Sequence, residues 1–296
     1  MIAFGLDLGG TKIEAAALAP EGGFLARVRR PTPGGYESGL EAVAGALEEA
    51  ERQAGVRAER LGVGGPGSVN PRTGRVRNAN STWLNGQPFP EDLARRLGRP
   101  VRYANDADCL AVSEARDGAA AGAAGGVFAV ILGTGVGGGV ALGGRLAAGA
   151  NGIAGEWGHS PLPSPTPEET PGPPCWCGRR GCLETWLSGP SLARDDGRGL
   201  TAEAVAGRAA EGDGQAQATL DRHARRLARG LGWVVNLLDP EVIILGGGVG
   251  GIPGLAEGLE ARIRPHVFAD DWRCGIVRPR FGDSSGVRGA AWLWDR

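Results

Sequence analysis

Phe4-Gly5-Leu6-Asp7-Leu8-Gly9-Gly10-Thr11 is a short apolar run that ends in a glycine turn, and the chain carries the pattern twice. Phe128-Ala129-Val130-Ile131-Leu132-Gly133-Thr134-Gly135 repeats it at an offset of 124. Each copy leads into a second apolar stretch, at 13–18 and at 139–142. A buried strand, a tight turn and a second strand make a β-hairpin. Two such hairpins at the heads of two halves predict a duplicated α/β domain. A chain with 54 glycines can also repeat Gly-rich hairpins by chance, but the register match favours duplication.

Helices and strands alternate between and after the hairpins, as an α/β fold requires. Residues 38–54 predict a helix with Leu40, Val43, Ala44 and Leu47 on one face. Short strands are expected at 61–63, 101–104 and 242–245, and helices at 107–115 and 216–238. The last helix is stopped by Asp239-Pro240. The stretch 160–174 holds seven prolines and reads as a stiff surface loop.

Composition narrows the function. A formal net charge of -1 leaves no electrostatic footprint for nucleic acid or an anionic membrane. Met1-Ile2-Ala3-Phe4 runs straight into a strand, with no basic leader and no apolar run long enough to span a bilayer. A cytoplasmic protein is expected. Lys12 is the sole lysine, which fits a biased genome or a heat-adapted one.

The densest chemistry lies between Gly155 and Glu184. Gly155-Glu156-Trp157-Gly158-His159 precedes the proline-rich stretch, and Cys175-Trp176-Cys177-Gly178-Arg179-Arg180-Gly181-Cys182-Leu183-Glu184 follows it. His159, Cys175, Cys177 and Cys182 have the makings of a closed four-ligand zinc site, structural because no coordination position stays open. The competing reading is a disulfide or free thiols. The odd cysteine count and the missing leader argue against a secreted disulfide framework. Cys109 and Cys274 stand alone and read as buried fillers.

Three glycine turns share one physical use. Asp7-Leu8-Gly9-Gly10-Thr11-Lys12 offers backbone N–H groups and one cation where a ligand can approach closely. Gly133-Thr134-Gly135-Val136-Gly137 offers the same in the second half, and Gly246-Gly247-Gly248 follows a strand. None matches the Walker or Rossmann pattern. Together they point to a nucleotide phosphate chain.

These motifs together resemble the ROK family (repressor, open reading frame, kinase) of sugar kinases, over essentially the whole chain. The segment Asn78-Ala79-Asn80-Ser81-Thr82-Trp83-Leu84-Asn85-Gly86-Gln87-Pro88-Phe89 and the tail after Gly282 resemble bacterial fructokinases of the manno(fructo)kinase type. The resemblance implies a duplicated actin-like ATPase (ribonuclease H-like) fold with two lobes around a cleft. The lobes are expected at 1–116 with 285–296, and at 117–284 with the zinc-stapled loop. It implies ATP and Mg²⁺ as cofactors besides structural Zn²⁺, and a hexose and ATP as small-molecule partners of a homodimer.

Roles follow from the chemistry. Asp106 matches the catalytic aspartate, the base for a hexose hydroxyl, with Asn105 holding neighbouring hydroxyls. A helix N-cap before Ala107 is the competing use of Asn105-Asp106. Asp108 is expected to be exposed on the first helical turn. Glu156, His159 and Glu184 match the sugar-contacting residues, since carboxylates accept two hydrogen bonds from vicinal hydroxyls. Gly65 and Asn80 are further sugar candidates. Asp7 is expected to orient Mg²⁺ through water, with Gly9, Gly10, Thr11 and Lys12 near the phosphates. Lys12 also reads as an exposed hairpin lysine. Gly133, Thr134, Gly135, Gly137, Gly246, Gly247 and Gly248 complete the nucleotide set.

The activity expected is ATP-dependent phosphorylation of D-fructose at the 6-hydroxyl, with mannose as a further acceptor. A glucokinase or N-acetylhexosamine kinase of the same family is the alternative. A sugar-responsive repressor would carry a helix-turn-helix segment ahead of the first glycine motif, and none is expected before the strand at Ile2. A non-catalytic sugar-binding regulator is more remote because Asp106 and all three glycine turns are intact.

Overall fold

The computed structural model describes Met1–Trp294; the last two residues of the expected N-terminal lobe, 295 and 296, lie outside the described residues. The first elements are β1 (Ala3–Leu8), β2 (Lys12–Leu18), β3 (Phe24–Pro31), α1 (Tyr36–Ala54), β4 (Leu61–Gly65), β5 (Ser68–Val69), β6 (Val76–Arg77), α2 (Phe89–Leu97), β7 (Val101–Asn105) and α3 (Asp106–Arg116). There follow β8 (Gly126–Leu132), β9 (Val136–Leu142), β10 (Arg145–Leu146), α4 (Glu184–Leu187), α5 (Gly189–Asp196), α6 (Ala202–Ala210) and α7 (Gly214–Leu238). The chain then closes with β11 (Pro240–Gly246), α8 (Gly247–Gly250), α9 (Leu259–Ile263), β12 (Gly275–Val277) and α10 (Ser285–Trp292).

The two five-stranded sheets have one topology. The first is ordered β3-β2-β1-β4-β7 and the second β10-β9-β8-β11-β12, so each places its hairpin's first strand in the middle. In both, the central strand pairs in parallel with the next strand that a helical crossover delivers. This equivalence matches the duplication read from the repeated hairpin. By contacts, one compact unit comprises residues 1–122, 139–154 and 280–296, and the other 123–138 and 155–279.

In the first unit, α1 packs a face of Leu40, Val43, Ala44, Leu47 and Ala50 onto the sheet. Each such leucine contributes about 2 kcal/mol by leaving water. Gly55, at φ 67°, ends the helix in the left-handed conformation that glycine adopts without a Cβ penalty. Helix α10 lies directly against β1, β4 and α3. A Cβ on Gly5 would overlap the Val287 carbonyl oxygen, one on Gly62 that of Ala290, and one on Gly289 that of Cys109. Side chains are thus missing where backbone meets backbone. Cys109 is fully buried in this packing, the filler role expected of it, and Cys274 is buried in the second unit.

The second unit is built on the parallel strands β8, β11 and β12. Its long helix α7 starts at Asp213, whose carboxylate accepts the Gln215 and Ala216 N–H groups. The helix stops where Asp239 turns left-handed before Pro240. Leu227, Leu231, Val234 and Val235 form its buried face. Within α7, Gly230 leaves room for Trp157 and Leu183, each 3.0 Å from where its Cβ would stand. The proline-rich loop is pinned to this helix. Glu169 pairs with Arg226 at 2.9 Å and with Arg229 at 2.8 Å, all three nearly buried. Among the described residues no helix is long and apolar enough to cross a membrane.

Candidate active site and metal centre

In the first unit the carboxylates gather at the C-terminal ends of β1 and β7. Asp7 is the penultimate residue of β1 and faces Glu14 across the β1–β2 pair. Burial pushes its carboxyl up to about 7, helped by the charges of Asp106, Glu14 and Asp283 and opposed by Lys12. A Cβ on Gly286 would stand 3.0 Å from the Asp7 carboxyl, so the first turn of α10 carries glycine where this acid needs space.

Asp106 is the first residue of α3, directly after β7. Part of its surface is exposed, yet desolvation of its carboxyl raises it above the ordinary aspartate range, against the pull of the Ala107 N–H. Asn105 is the N-cap: its Oδ1 accepts the Ala107 N–H at 2.7 Å. Its Nδ2 lies 3.5 Å from the Gly67 carbonyl oxygen. The Ala107 N–H is thus shared between the two residues: Asn105 caps the helix, and Asp106 Oδ1 also accepts that N–H at 2.8 Å. Asp108, expected to be exposed, is half-buried, because β9 passes close to the first turn of α3: a Cβ on Gly139 would stand 2.7 Å from the Asp108 N.

The Gly9-Gly10-Thr11 turn closes with the Gly9 N–H on the Lys12 carbonyl at 2.9 Å, and Gly10 and Thr11 are open to solvent. A Cβ on Gly10 would meet nothing within 4 Å, so the turn is a bare backbone surface. Lys12 stands 3.8 Å from Glu14 and 3.9 Å from Asp283. Glu14, almost fully buried, is held by Arg27 at 2.6 Å and Arg29 at 2.7 Å. The sequence reading passed over Glu14, although it lies two residues from Lys12 on the same strand and so shares its face. Gly65 sits under the Tyr103 hydroxyl, 2.5 Å from where its Cβ would be, and that hydroxyl donates to the Pro66 carbonyl at 2.7 Å. Asn80 is exposed on the 78–89 segment.

That segment is largely occupied with its own fold. The Asn85 side chain accepts from the Ala79 N–H at 2.8 Å and donates to the Ala79 carbonyl at 2.9 Å. Trp83 packs against Gly39 of α1 and edge-on to Phe89, with centroids 6.5 Å apart.

In the second unit, Gly133 and Gly246–Gly248 stand at the C-terminal ends of the neighbouring parallel strands β8 and β11. Gly247, at φ 81°, lies on the Leu132 backbone, where a side chain would overlap it. The Gly137 carbonyl accepts the Trp157 indole N–H at 3.0 Å, which fixes the segment carrying Glu156 and His159. Glu156 precedes the 3-10 turn Trp157–His159. Glu184 opens α4 and reaches the glycine turn: its Oε2 accepts the Val136 N–H at 3.1 Å. Thr134 lies in the same turn. Glu156, His159 and Glu184 are all half-buried.

His159, Cys175, Cys177 and Cys182 offer ligand atoms that lie within 4.8 Å of one another. Cys175 Sγ is 3.6 Å from His159 Nδ1, and Cys177 Sγ is 3.7 Å from Cys182 Sγ. Tetrahedral zinc with bonds of about 2.3 Å to sulfur and about 2.0 Å to nitrogen needs edges of about 3.5–3.8 Å. The donor set fits zinc in type, number and spacing. All five cysteines are free thiols, so the disulfide alternative is not the arrangement found. Two short bridges, Pro161 with Cys182 and Pro174 with Arg180, bring the two arms of the cluster together. Desolvation pushes the Cys182 thiol up to about 12. It acts on Cys177 as well, but the Arg179 backbone N–H and the neighbouring thiols outweigh it and hold Cys177 at about 6. The sequence reading missed Trp176, between two of these thiols. Its indole N–H donates to Glu184 Oε1 at 2.7 Å.

A duplicated α/β fold with glycine turns at equivalent strand ends is the actin-like ATPase fold, whose members handle nucleotide phosphates. The chain belongs to the ROK family, whose profile matches residues 3–296, and it is a sugar kinase of that family. It is 36 % identical over 299 residues to an N-acetyl-D-glucosamine kinase of Yersinia pseudotuberculosis, covering 98 % of each chain. A ROK hexokinase from Thermus thermophilus superposes with a TM-score of 0.88 at 38 % identity, over 99 % of this chain and 97 % of that one. A ROK glucokinase from Streptomyces griseus, solved with glucose and AMPPNP, gives 0.80 at 30 % identity, over 99 % of both chains.

Proposed function

We propose that the chain transfers the γ-phosphoryl group of ATP to the 6-hydroxyl of a hexose, with Asp106 as the base. A sugar hydroxyl is a poor nucleophile until its proton has somewhere to go. Asp106 stands at the end of β7 with part of its surface exposed and one carboxylate oxygen on the Ala107 N–H, and desolvation raises its carboxyl above the ordinary aspartate range. That is the observation carrying the reading. A carboxylate with a raised pKa is a stronger base for that proton. The Asn105 amide lies beside it to steady a neighbouring hydroxyl.

The bare backbone at Gly9, Gly10 and Thr11 suits phosphate oxygens, with Lys12 as the adjacent cation. On the second unit, Gly133, Thr134, Gly135, Gly137 and Gly246–Gly248 offer backbone of the same kind. Asp7 lies in a crowd of carboxylates that a divalent cation would relieve, which fits Mg²⁺ held through water. Mg²⁺ supplies neutralisation of charge on the transferring phosphoryl group. Glu156, His159 and Glu184 are the second unit's hydroxyl acceptors and donors. His159, Cys175, Cys177 and Cys182 would hold Zn²⁺, which fixes the backbone carrying Glu184. We also infer a cytoplasmic homodimer, from the family resemblance; light scattering at micromolar concentration reads the oligomeric state.

For the acceptor, we favour an aldohexose of the glucose or N-acetylglucosamine type. The relatives at 36 % and 38 % identity are an N-acetylglucosamine kinase and a hexokinase. Fructose is the second reading, on the resemblance of 78–89 to fructokinases. Its support is thinner now that Asn85 and Trp83 are engaged within the segment. Comparing kcat/KM for glucose, N-acetylglucosamine, mannose and fructose in an ADP-release assay decides between them. A clear fructose preference would reverse the order proposed here.

A further inference from the structure

Trp176 is 66 % exposed, yet it is held on two sides. Its ring stands edge-on to the His159 imidazole, with centroids 4.8 Å apart and planes at 89°. Its indole N–H reaches Glu184 Oε1 at 2.7 Å. Its backbone lies between Cys175 and Cys177, two members of the Cys and His cluster. A large apolar ring left mostly in water gains little from burial, so packing alone does not account for it. The bond to Glu184 does.

A carboxylate has about four acceptor positions on its two oxygens. Trp176 takes one on Oε1, and the Val136 N–H takes one on Oε2. Two donors from different elements fix the plane of the group. They leave each oxygen able to accept once more, the pattern that two hydroxyls on neighbouring sugar carbons can fill. The backbone of Glu184 is secured separately: its carbonyl accepts the Ser191 hydroxyl at 3.0 Å, and the Ser188 N–H bonds to it as well. Losing the indole N–H therefore frees the carboxylate to swing without unseating α4.

We propose that Trp176 is the positioning residue for Glu184: its indole N–H holds that carboxylate in the orientation that receives the hexose hydroxyls. The proposal rests on the hexose-kinase reading and deepens it. Its place on the cluster makes the positioning rigid, since the same backbone carries the ring and two ligand thiols. A flexible side chain at 176 would have to be ordered anew in each binding event.

Trp176→Phe keeps an aromatic ring against His159 and removes only the donor. KM for glucose should rise about tenfold, the scale of a hydrogen bond to a charged group, with kcat changed less than about threefold. Zinc content per chain should match the wild type, so that the effect is not loss of the cluster. In a ¹H–¹⁵N spectrum, the indole resonance missing from Trp176→Phe should shift when glucose is titrated into the wild type, and should be displaced in Glu184→Gln without sugar. An unchanged KM in Trp176→Phe, a fall in kcat with KM unchanged, or an indole resonance indifferent to both glucose and Glu184→Gln would overturn the proposal. A wild type that phosphorylates no hexose would instead overturn the kinase reading, before any variant is compared.

Discussion

Gly135 and Glu184 are matched: a Cβ at residue 135 would stand 2.8 Å from Glu184 Oε2, the oxygen that accepts the Val136 N–H. The glycine turn after β8 is thus also the surface on which the Glu184 carboxylate, proposed to bind the sugar, rests. Gly135 is not among the residues with positive φ, so alanine is conformationally allowed there and only the contact changes. Gly135→Ala should raise KM for hexose about tenfold, by displacing a charged hydrogen-bond acceptor. The melting temperature should stay within a few degrees. Kinetics and a thermal melt on the same preparation check both halves.

The metal cluster predicts composition. Purified protein should carry about one zinc per chain. Cys177→Ser should lose it and lower the melting temperature, because metal binding at such a site is folding free energy. Elemental analysis of wild type and variant is the check. A metal-free wild type, or a disulfide among Cys175, Cys177 and Cys182, would contradict the assignment.

The close seat of α10 predicts a stability defect remote from chemistry. Gly62→Ala puts a methyl group into the Ala290 carbonyl oxygen. Overpacking of this kind costs about 1–3 kcal/mol, occasionally more, and backbone against backbone gives least room to relax. Gly10→Ala, where a Cβ meets nothing, is the control and should cost far less. Urea denaturation of both measures the contrast.

The Asp7 carboxyl predicts a pH dependence. Its folded value is raised to about 7 from 3.8, chiefly by burial and then by Asp106 and Glu14. A raised acid binds its proton more tightly when folded, so its contribution to stability is fully present below 3.8 and is lost as pH rises through about 7. Without added divalent cation, the wild type should therefore lose stability across that window relative to Asp7→Asn. Added Mg²⁺ should reduce the loss. Melting temperatures of the two proteins from pH 4 to pH 8 test the sign.

Much of the fold was legible because its signals are local. The repeated hairpin at 4–11 and 128–135, the apolar face of α1 and the stop at Asp239-Pro240 each stand within a few residues, and each proved to be the element expected. The start of β9 was less legible. Residues 137–139 are all glycine, a poor strand former, and the sequence reading began the strand at 139 rather than at Val136. The reason lies elsewhere in the chain: a Cβ on Gly138 would meet Trp157, and one on Gly139 would overlap the Ala107 backbone. The Cys and His cluster was readable because its four donor residues sit in two short motifs. The orientation of Glu184 was not, since it depends on the Val136 N–H, 48 residues away, and on an indole that carries no ligand atom. Trp176 between two thiols was visible in the sequence, but only the geometry gives it a partner.

The most direct test of the account is ADP release with ATP, Mg²⁺ and hexose, in wild type and Asp106→Asn. The substitution is nearly isosteric and cannot take up a proton. Wild type should phosphorylate glucose or N-acetylglucosamine at the 6-hydroxyl. Asp106→Asn should bind the sugar about as well but turn over at least about 10²-fold more slowly, the scale of general-base catalysis. Turnover in Asp106→Asn within a few-fold of wild type, with sugar binding intact, would contradict the assignment of Asp106 as the base.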